Sequence, residues 1–258
     1  LALDILLDRR VALKFLGSHL MRNPTWRARF VAEARSMARL RHEHVVQIYS
    51  FGVFEDCPYF AMEYVPGLTL AERLDGAPLA DPAEAISILG AIAAGVDAIH
   101  DAGLVHHDIK PSNVLLDRPD RVLVGDLGLS RLAGTADSRT FAGTPSRAAP
   151  EQCDPLSLPP ELAPRTDIYQ LGVLAFELLT GALPFESDSA QRVLMMHCTH
   201  PCPRPSAVAP RLGTAFDEPI LAALAKSPAD RPARASVFVQ QLAAGLPNAE
   251  PPMRVLVA

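Results

Sequence analysis

The sequence predicts an α+β chain in two parts, a strand-rich opening and a mainly helical remainder. Three observations carry this. Residues 1 to about 64 hold short apolar runs of strand length around one helical stretch. From about Pro78 onward, Ala- and Leu-rich segments of helical period dominate, separated by Pro-rich loops. Pro66 and Gly67 punctuate the junction. With 258 residues, 49% of them hydrophobic and 21% charged, the chain is long and apolar enough to bury a full core.

Strand readings fall on residues 10–16, 45–51, 59–64, 114–116 and 122–124, each bounded by turn or charged residues. A helix at about 25–40 sets Phe30, Ala34, Met37 and Ala38 on one stripe, with arginines opposite. In a second, at about 81–101, Ile86, Leu89, Ile92, Ala93, Val96 and Ile99 recur at three and four. Gly103 is its stop. A third, at 167–180, ends at Gly181 and Pro184, and two more cover 216–226 and 235–244. There is no internal repeat. The Pro-Asn-Ala-Glu-Pro-Pro stretch from Pro247 reads as the beginning of a linker.

Composition narrows the function. A net charge of −5 argues against a nucleic-acid partner, which would leave a basic footprint. Cys57, Cys153, Cys198 and Cys202 are too scattered for a disulfide framework and fit a reducing compartment. No run reaches the ~18 uninterrupted apolar residues of a membrane span, so no membrane contact is expected within this chain. Asp4, Asp8, Arg9 and Arg10 exclude a signal-peptide core. Residue 1 is Leu, so the chain is read as a fragment or a processed product.

The chemistry-bearing segment is His106-His107-Asp108-Ile109-Lys110-Pro111-Ser112-Asn113, on a loop between a helix and a strand. It supplies a base, a cation and a neutral oxygen ligand. Phosphoryl transfer to a hydroxyl needs those parts to orient the attacking oxygen, relieve charge and hold Mg²⁺. A polar turn without catalytic role would use the same residue types. Gly125-Asp126-Leu127-Gly128 follows the apolar run 122–124. A carboxylate at a strand end beside glycines suits a metal bridging two phosphates, and equally an ordinary turn. Lys14 ends the strand Val11-Ala12-Leu13-Lys14 and needs an anion if buried, for which Glu33 on the next helix is the candidate. Snorkelling to solvent is the alternative. Gly143-Thr144-Pro145, Ala149-Pro150-Glu151, Asp167-Ile168-Tyr169-Gln170-Leu171-Gly172 and Asp230-Arg231-Pro232 follow in order.

Each motif is modest alone, but the set in this order resembles the catalytic domain of bacterial eukaryotic-like serine/threonine protein kinases. The likeness covers about residues 1–246, and Lys110 with Pro111 resembles the Ser/Thr branch. It implies a two-lobed protein-kinase-like fold with a truncated β-rich N-lobe and a mainly helical C-lobe. The implied division is a partial N-lobe and hinge at 1–65, a C-lobe at 66–246 and a linker opening at 247–258. The implied cofactors are ATP and Mg²⁺, and the implied partner is a protein substrate bearing Ser or Thr. The implied setting is cytoplasmic, in a parent chain of a kind often anchored in a membrane.

The resemblance also implies roles. Lys14 holds the α- and β-phosphates and pairs with Glu33. Met62 is the gatekeeper, and Glu63 to Val65 form the hinge that bonds adenine. Asp108 orients the substrate hydroxyl or accepts its proton, and Lys110 neutralises the γ-phosphoryl group. Asn113 and Asp126 bind Mg²⁺. Thr144 lies near Asp108 and Lys110, Glu151 pairs with Arg231, and Asp167 anchors the catalytic loop from below.

Other readings weigh less. His197, Cys198, His200 and Cys202 are dense in Cys and His, but no second pair lies nearby in sequence to complete a zinc site. A pseudokinase scaffold is disfavoured by the presence of Lys14, Glu33, Asp108, Asn113 and Asp126. A small-molecule phosphotransferase would not be expected to carry Lys110-Pro111 or the Ala149-Pro150-Glu151 segment.

The sequence departs from the family pattern in four places. Ten residues precede Val11 and include no glycine, so residues 1–3 read as the remnant of a second strand and the glycine-rich loop as missing. The sheet then has an unpaired edge, and ATP binding by this chain is expected to be weak. Leu127 stands where Phe is usual, and Arg147-Ala148 where an aromatic and a larger apolar residue are usual. His107 stands where most kinases carry the arginine that binds a phosphorylated loop. Histidine lacks the guanidinium fork and carries full charge only below about pH 6.5. Two outcomes follow. A nucleotide titration of the chain should give an affinity well below that of ordinary kinases. Alanine at Thr135, Ser138 and Thr140 together should leave most turnover in the full-length protein; abolished turnover would contradict the reading of His107.

Overall fold

The computed structural model describes residues 1–17, 24–75, 79, 81–118, 121–127, 144–153 and 158–246, with the backbone alone for 24–30. The expected linker from Pro247, and Thr135, Ser138 and Thr140, lie outside the described residues.

Strands β1 (Ala2–Asp4), β2 (Arg9–Phe15), β3 (Ile48–Phe54) and β4 (Cys57–Glu63) form an antiparallel sheet in the order β1-β2-β4-β3. β4 is interior, and its Phe60, Ala61 and Met62 are all buried. Glu55 and Asp56 join β3 to β4 with φ of 47° and 62°. A two-residue turn with both φ positive matches the twist of the strands it connects. Helix α1 (Pro24–Arg39) buries Ala34 and Met37 beside this sheet.

One expected strand is displaced. The run at 45–51 was read as a single strand, whereas β3 begins only at Ile48. Val45 instead bridges Val124 in parallel, with Val46 N donating to Val124 O at 2.9 Å and Val124 N donating to His44 O at 2.9 Å. The apolar residues are spent on tying the upper sheet to the lower part. Helix α3 (Pro82–Asp101) approaches this strap through Gly95, where a Cβ would fall 2.6 Å from His44 O.

Strands β5 (Leu68–Thr69), β6 (Val114–Arg118) and β7 (Arg121–Val124) make a second antiparallel sheet. Gly67 leads into it because a Cβ there would collide with Leu116 O at 1.8 Å. Helix α2 (Leu70–Leu74) starts at a capping box the sequence reading passed over: Thr69 Oγ1 accepts from Glu72 N, and Glu72 accepts from Thr69 N.

α3 begins behind its N-cap Asp81, whose Oδ1 accepts from Ala83 N at 2.9 Å. By length and composition alone α3 could cross a membrane. Here Leu89, Ile92, Val96 and Ile99 are fully buried, and the helix lies within the protein core. Helix α4 (Pro164–Thr180) starts a turn earlier than expected, since Pro164 suits the first helical position. It stops at Gly181, φ 82°. Then follow α5 (Ala190–Thr199), α6 (Pro205–Val208), α7 (Asp217–Ala223) and α8 (Ala235–Ala243). α7 is shorter than expected: Lys226 has left the helix, and its ammonium donates to His197 O at 2.8 Å. Asp97 of α3 caps α8, accepting from Ala235 N at 2.9 Å and Ser236 N at 3.2 Å. One apolar cluster runs from Phe60 and Met62 through α3 and α4 to Phe238 and Leu242.

Candidate active site

The loop between α3 and β6 has little regular structure of its own, so its backbone groups need partners from elsewhere. Asp167, fully buried near the start of α4, provides them. Its Oδ1 accepts from His107 N at 2.7 Å, and its Oδ2 from His106 N at 2.8 Å and from His100 Nε2 at 2.7 Å. Burial pushes the Asp167 carboxyl up, but the hydrogen bond from His100 and the nearby imidazoles outweigh it, and the group lies below its ordinary range. Gln170, one turn further along α4, accepts from Ile109 N at 2.8 Å and donates to His107 O at 2.9 Å. The sequence reading found Asp167 and missed Gln170. The signal was there: positions three apart on a helix share a face.

So held, the loop presents Asp108, Lys110 and Asn113 together. Lys110 Nζ lies 2.7 Å from Asp108 Oδ2 and donates to Thr144 Oγ1 at 2.9 Å. Thr144 Oγ1 in turn lies 3.3 Å from Asp108 Oδ1. Asn113 Nδ2 donates to Asp108 O at 2.8 Å and to Oδ2 at 3.1 Å. Thr144 stands where expected relative to both charged residues.

Asp126 is tied to this loop by its neighbour Gly125. Gly125 N donates to Asn113 O at 2.8 Å, and Gly125 O accepts from His106 Nε2 at 2.8 Å. With Nε2–H as donor, His106 Nδ1 is the acceptor for Asp108 N at 3.3 Å, so one neutral tautomer satisfies both contacts. Across the sheets, Lys14 Nζ reaches Asp126 Oδ2 at 2.7 Å. Lys14 is therefore ion-paired with Asp126. Glu33 lies on α1, half-buried.

Met62 is buried opposite Ala12 and Ile48. Glu63 ends β4 and pairs with Arg121 of β7, whose other guanidinium nitrogen meets Asp117 at 2.9 Å. Val65 packs on the core edge. Leu127 is buried in the core, as an apolar stand-in for Phe can be. Glu151 and Arg231 form the expected pair, in bidentate form at 2.7 and 2.8 Å. Arg147 is buried against Glu177 of α4. The Asn113 amide oxygen and the Asp126 carboxylate are hard oxygen donors of the kind Mg²⁺ prefers.

A model of the protein kinase domain matches residues 2–243. The chain belongs to the protein kinase domain family. This kinase domain is 39% identical over 245 residues to the serine/threonine-protein kinase Pkn1 of Myxococcus xanthus, a match covering 92% of this chain and 34% of Pkn1. It is 37% identical over 232 residues to the serine/threonine-protein kinase PknL of Mycobacterium tuberculosis, covering 89% and 57%. The kinase domain thus spans only part of the length of these curated relatives. Among solved structures, the crystal structure of the Mycobacterium tuberculosis PknI kinase domain aligns with a TM-score of 0.72 at 28% identity, over 92% of this chain and 85% of that one. The expected two-lobed fold, a small sheet lobe and a helical lobe, agrees with that likeness.

Because Asp167 carries so many buried donors, Asp167→Asn should destabilise the domain by ~3 kcal/mol in urea denaturation. The sign with pH follows from its lowered carboxyl. The stability it contributes is complete above the unfolded carboxylate value of about 3.9. It is lost as pH falls through the lower folded value. The wild type should therefore lose this contribution on acidification and Asp167→Asn should not, as denaturation series across acidic pH would measure.

Proposed function

We propose that this kinase domain transfers the γ-phosphoryl group of ATP to serine or threonine hydroxyls of proteins. The observation that carries the reading is the hydrogen-bonded run Thr144–Lys110–Asp108–Asn113, with Asp126 joined to it through Gly125 and bracketed by Lys14. Asp108 orients the attacking hydroxyl and accepts its proton. Lys110, already against that carboxylate, neutralises charge on the moving phosphoryl group. Lys14 serves the α- and β-phosphates, with Glu33 of α1 assigned as its second carboxylate. Adenine is assigned to the edge of β4 beyond Met62, on backbone groups of Glu63 to Val65.

Asn113 and Asp126 would hold Mg²⁺, which supplies charge relief on the phosphate oxygens when bound. Asn113 Nδ2 is engaged by Asp108, so the amide oxygen is the ligating end. Two protein oxygens suit an ion that takes its remaining ligands from phosphate and water.

We assign residues 1–65 to the small lobe and hinge, 66–246 to the large lobe and 247–258 to the start of a linker. We assign the domain to the cytoplasm, in a parent chain of a kind often anchored in a membrane. Substrate recognition by nucleic acid is not part of the reading, in keeping with the net charge of −5.

The test is label transfer from γ-labelled ATP with Mg²⁺ to a protein substrate. Label is expected on Ser or Thr, and Asp108→Asn should lower the rate by about 10²- to 10⁴-fold with nucleotide affinity little changed. Equal transfer by Asp108→Asn, or transfer to small alcohols alone, would overturn the proposal.

A further inference from the structure

Two thiols that the kinase reading does not use lie side by side. Cys153 and Cys198 are 45 positions apart in sequence, and their sulfurs are 3.4 Å apart. Both are free; Cys153 is exposed and Cys198 half-buried. Cys153 directly follows the short 3₁₀ turn Pro150–Gln152, and Cys198 lies in the last turn of α5. One carbonyl holds both: Pro150 O accepts from Cys153 N at 3.1 Å and from Cys198 Sγ at 3.9 Å.

We propose that Cys153 and Cys198 are a hydroperoxide-responsive dithiol that closes reversibly to an intrachain disulfide. A disulfide has a sulfur–sulfur length of about 2.05 Å, so closure from 3.4 Å needs an approach of about 1.3 Å. The chemistry balances with hydrogen peroxide as oxidant. One thiol sulfur attacks a peroxide oxygen, the O–O bond breaks, and a sulfenic acid and water result. The second sulfur attacks the sulfenic sulfur, the S–O bond breaks, the S–S bond forms, and the hydroxyl leaves as water with the second thiol's proton. Two thiols lose two electrons and two protons, and one peroxide becomes two waters.

Burial and the hydrogen bond with Cys198 push the Cys153 thiol up to about 12. This slows first attack by Cys153 and leaves that step to Cys198; adjacency then makes the second, intramolecular step fast. Partial exposure keeps the resulting bond accessible to a reductant. Closure would join α5 to the segment that supports the catalytic loop, where Gln152 Nε2 donates to His107 O at 3.1 Å and Glu151 holds Arg231.

The experiment uses the 258-residue chain treated with hydrogen peroxide, quenched by alkylation under denaturing conditions and digested for mass spectrometry. Expected is a linked pair of peptides containing Cys153 and Cys198, lighter by two hydrogens than the separate peptides and released by dithiothreitol. Cys57 and Cys202 should remain alkylated. Cys198→Ser, its fold checked by circular dichroism, should abolish the link and leave Cys153 largely alkylated, since its raised thiol is slow to attack peroxide. Independent oxidation of Cys153 and Cys198 without a link, a preferred link to Cys202 or Cys57, or a link between chains would overturn the proposal. The readout requires no phosphoryl transfer, so its failure is distinguishable from failure of the kinase reading.

Discussion

The catalytic loop keeps its shape because one buried carboxylate, that of Asp167, has no solvent to turn to and takes its donors from the loop. A carboxylate without water must be fully hydrogen-bonded, and here two consecutive backbone N–H groups and an imidazole meet that need. The constraint extends to backbone conformation. His107, between Asp167 and Asp108, sits at φ 65°, a left-handed region that costs a non-glycine residue roughly 1–3 kcal/mol. Its N–H is taken by Asp167 and its C=O by Gln152 and Gln170, so both ends of the strained residue are fixed. The direction of Asp108 follows from that.

The same logic joins the two carboxylate-bearing segments. Asp126 also has positive φ, at 58°, directly after a glycine whose N–H and C=O are both bonded to the catalytic loop. Asp108 and Asp126 are thus not independently placed. Lys14 reaches the assembly from the other sheet, and the strap at residues 44–46 fixes how that sheet sits on β7. Lys14 and Asp126 are each more than a third exposed, so solvent screens the pair, and its value lies in aiming the ammonium.

Two ion pairs acquire meaning from their surroundings. Arg147 is buried beside Glu177, which makes it part of the packing of the segment after Thr144 against α4. Removing one partner of such a pair strands the other charge, so the two positions depend on each other. Glu151 and Arg231 fasten the next few residues to the far end of the chain, with the Arg231 guanidinium stacked over Tyr169 at 4.8 Å. The segment from Thr144 to Cys153 is therefore clamped at two points, and the thiol pair lies at its end.

Much was legible in the order of residues. Strands such as β2 and β4, helices such as α3, and the sequence of motifs around Asp108, Asn113 and Asp126 all follow from local spacing and local propensity. Apolar period, capping chemistry and the residue types of a loop are one-dimensional properties. What tertiary structure decided were choices among partners. Lys14 reaches Asp126, a contact the sequence reading did not draw, residues 44–46 bond to β7 where a longer β3 was read, and Gln170 completes a loop that the family resemblance credited to Asp167 alone. Cys153 meets Cys198 for the same reason. A charge, a backbone carbonyl or a thiol can be satisfied by any group of the right chemistry, and which group comes near is set by how distant segments pack.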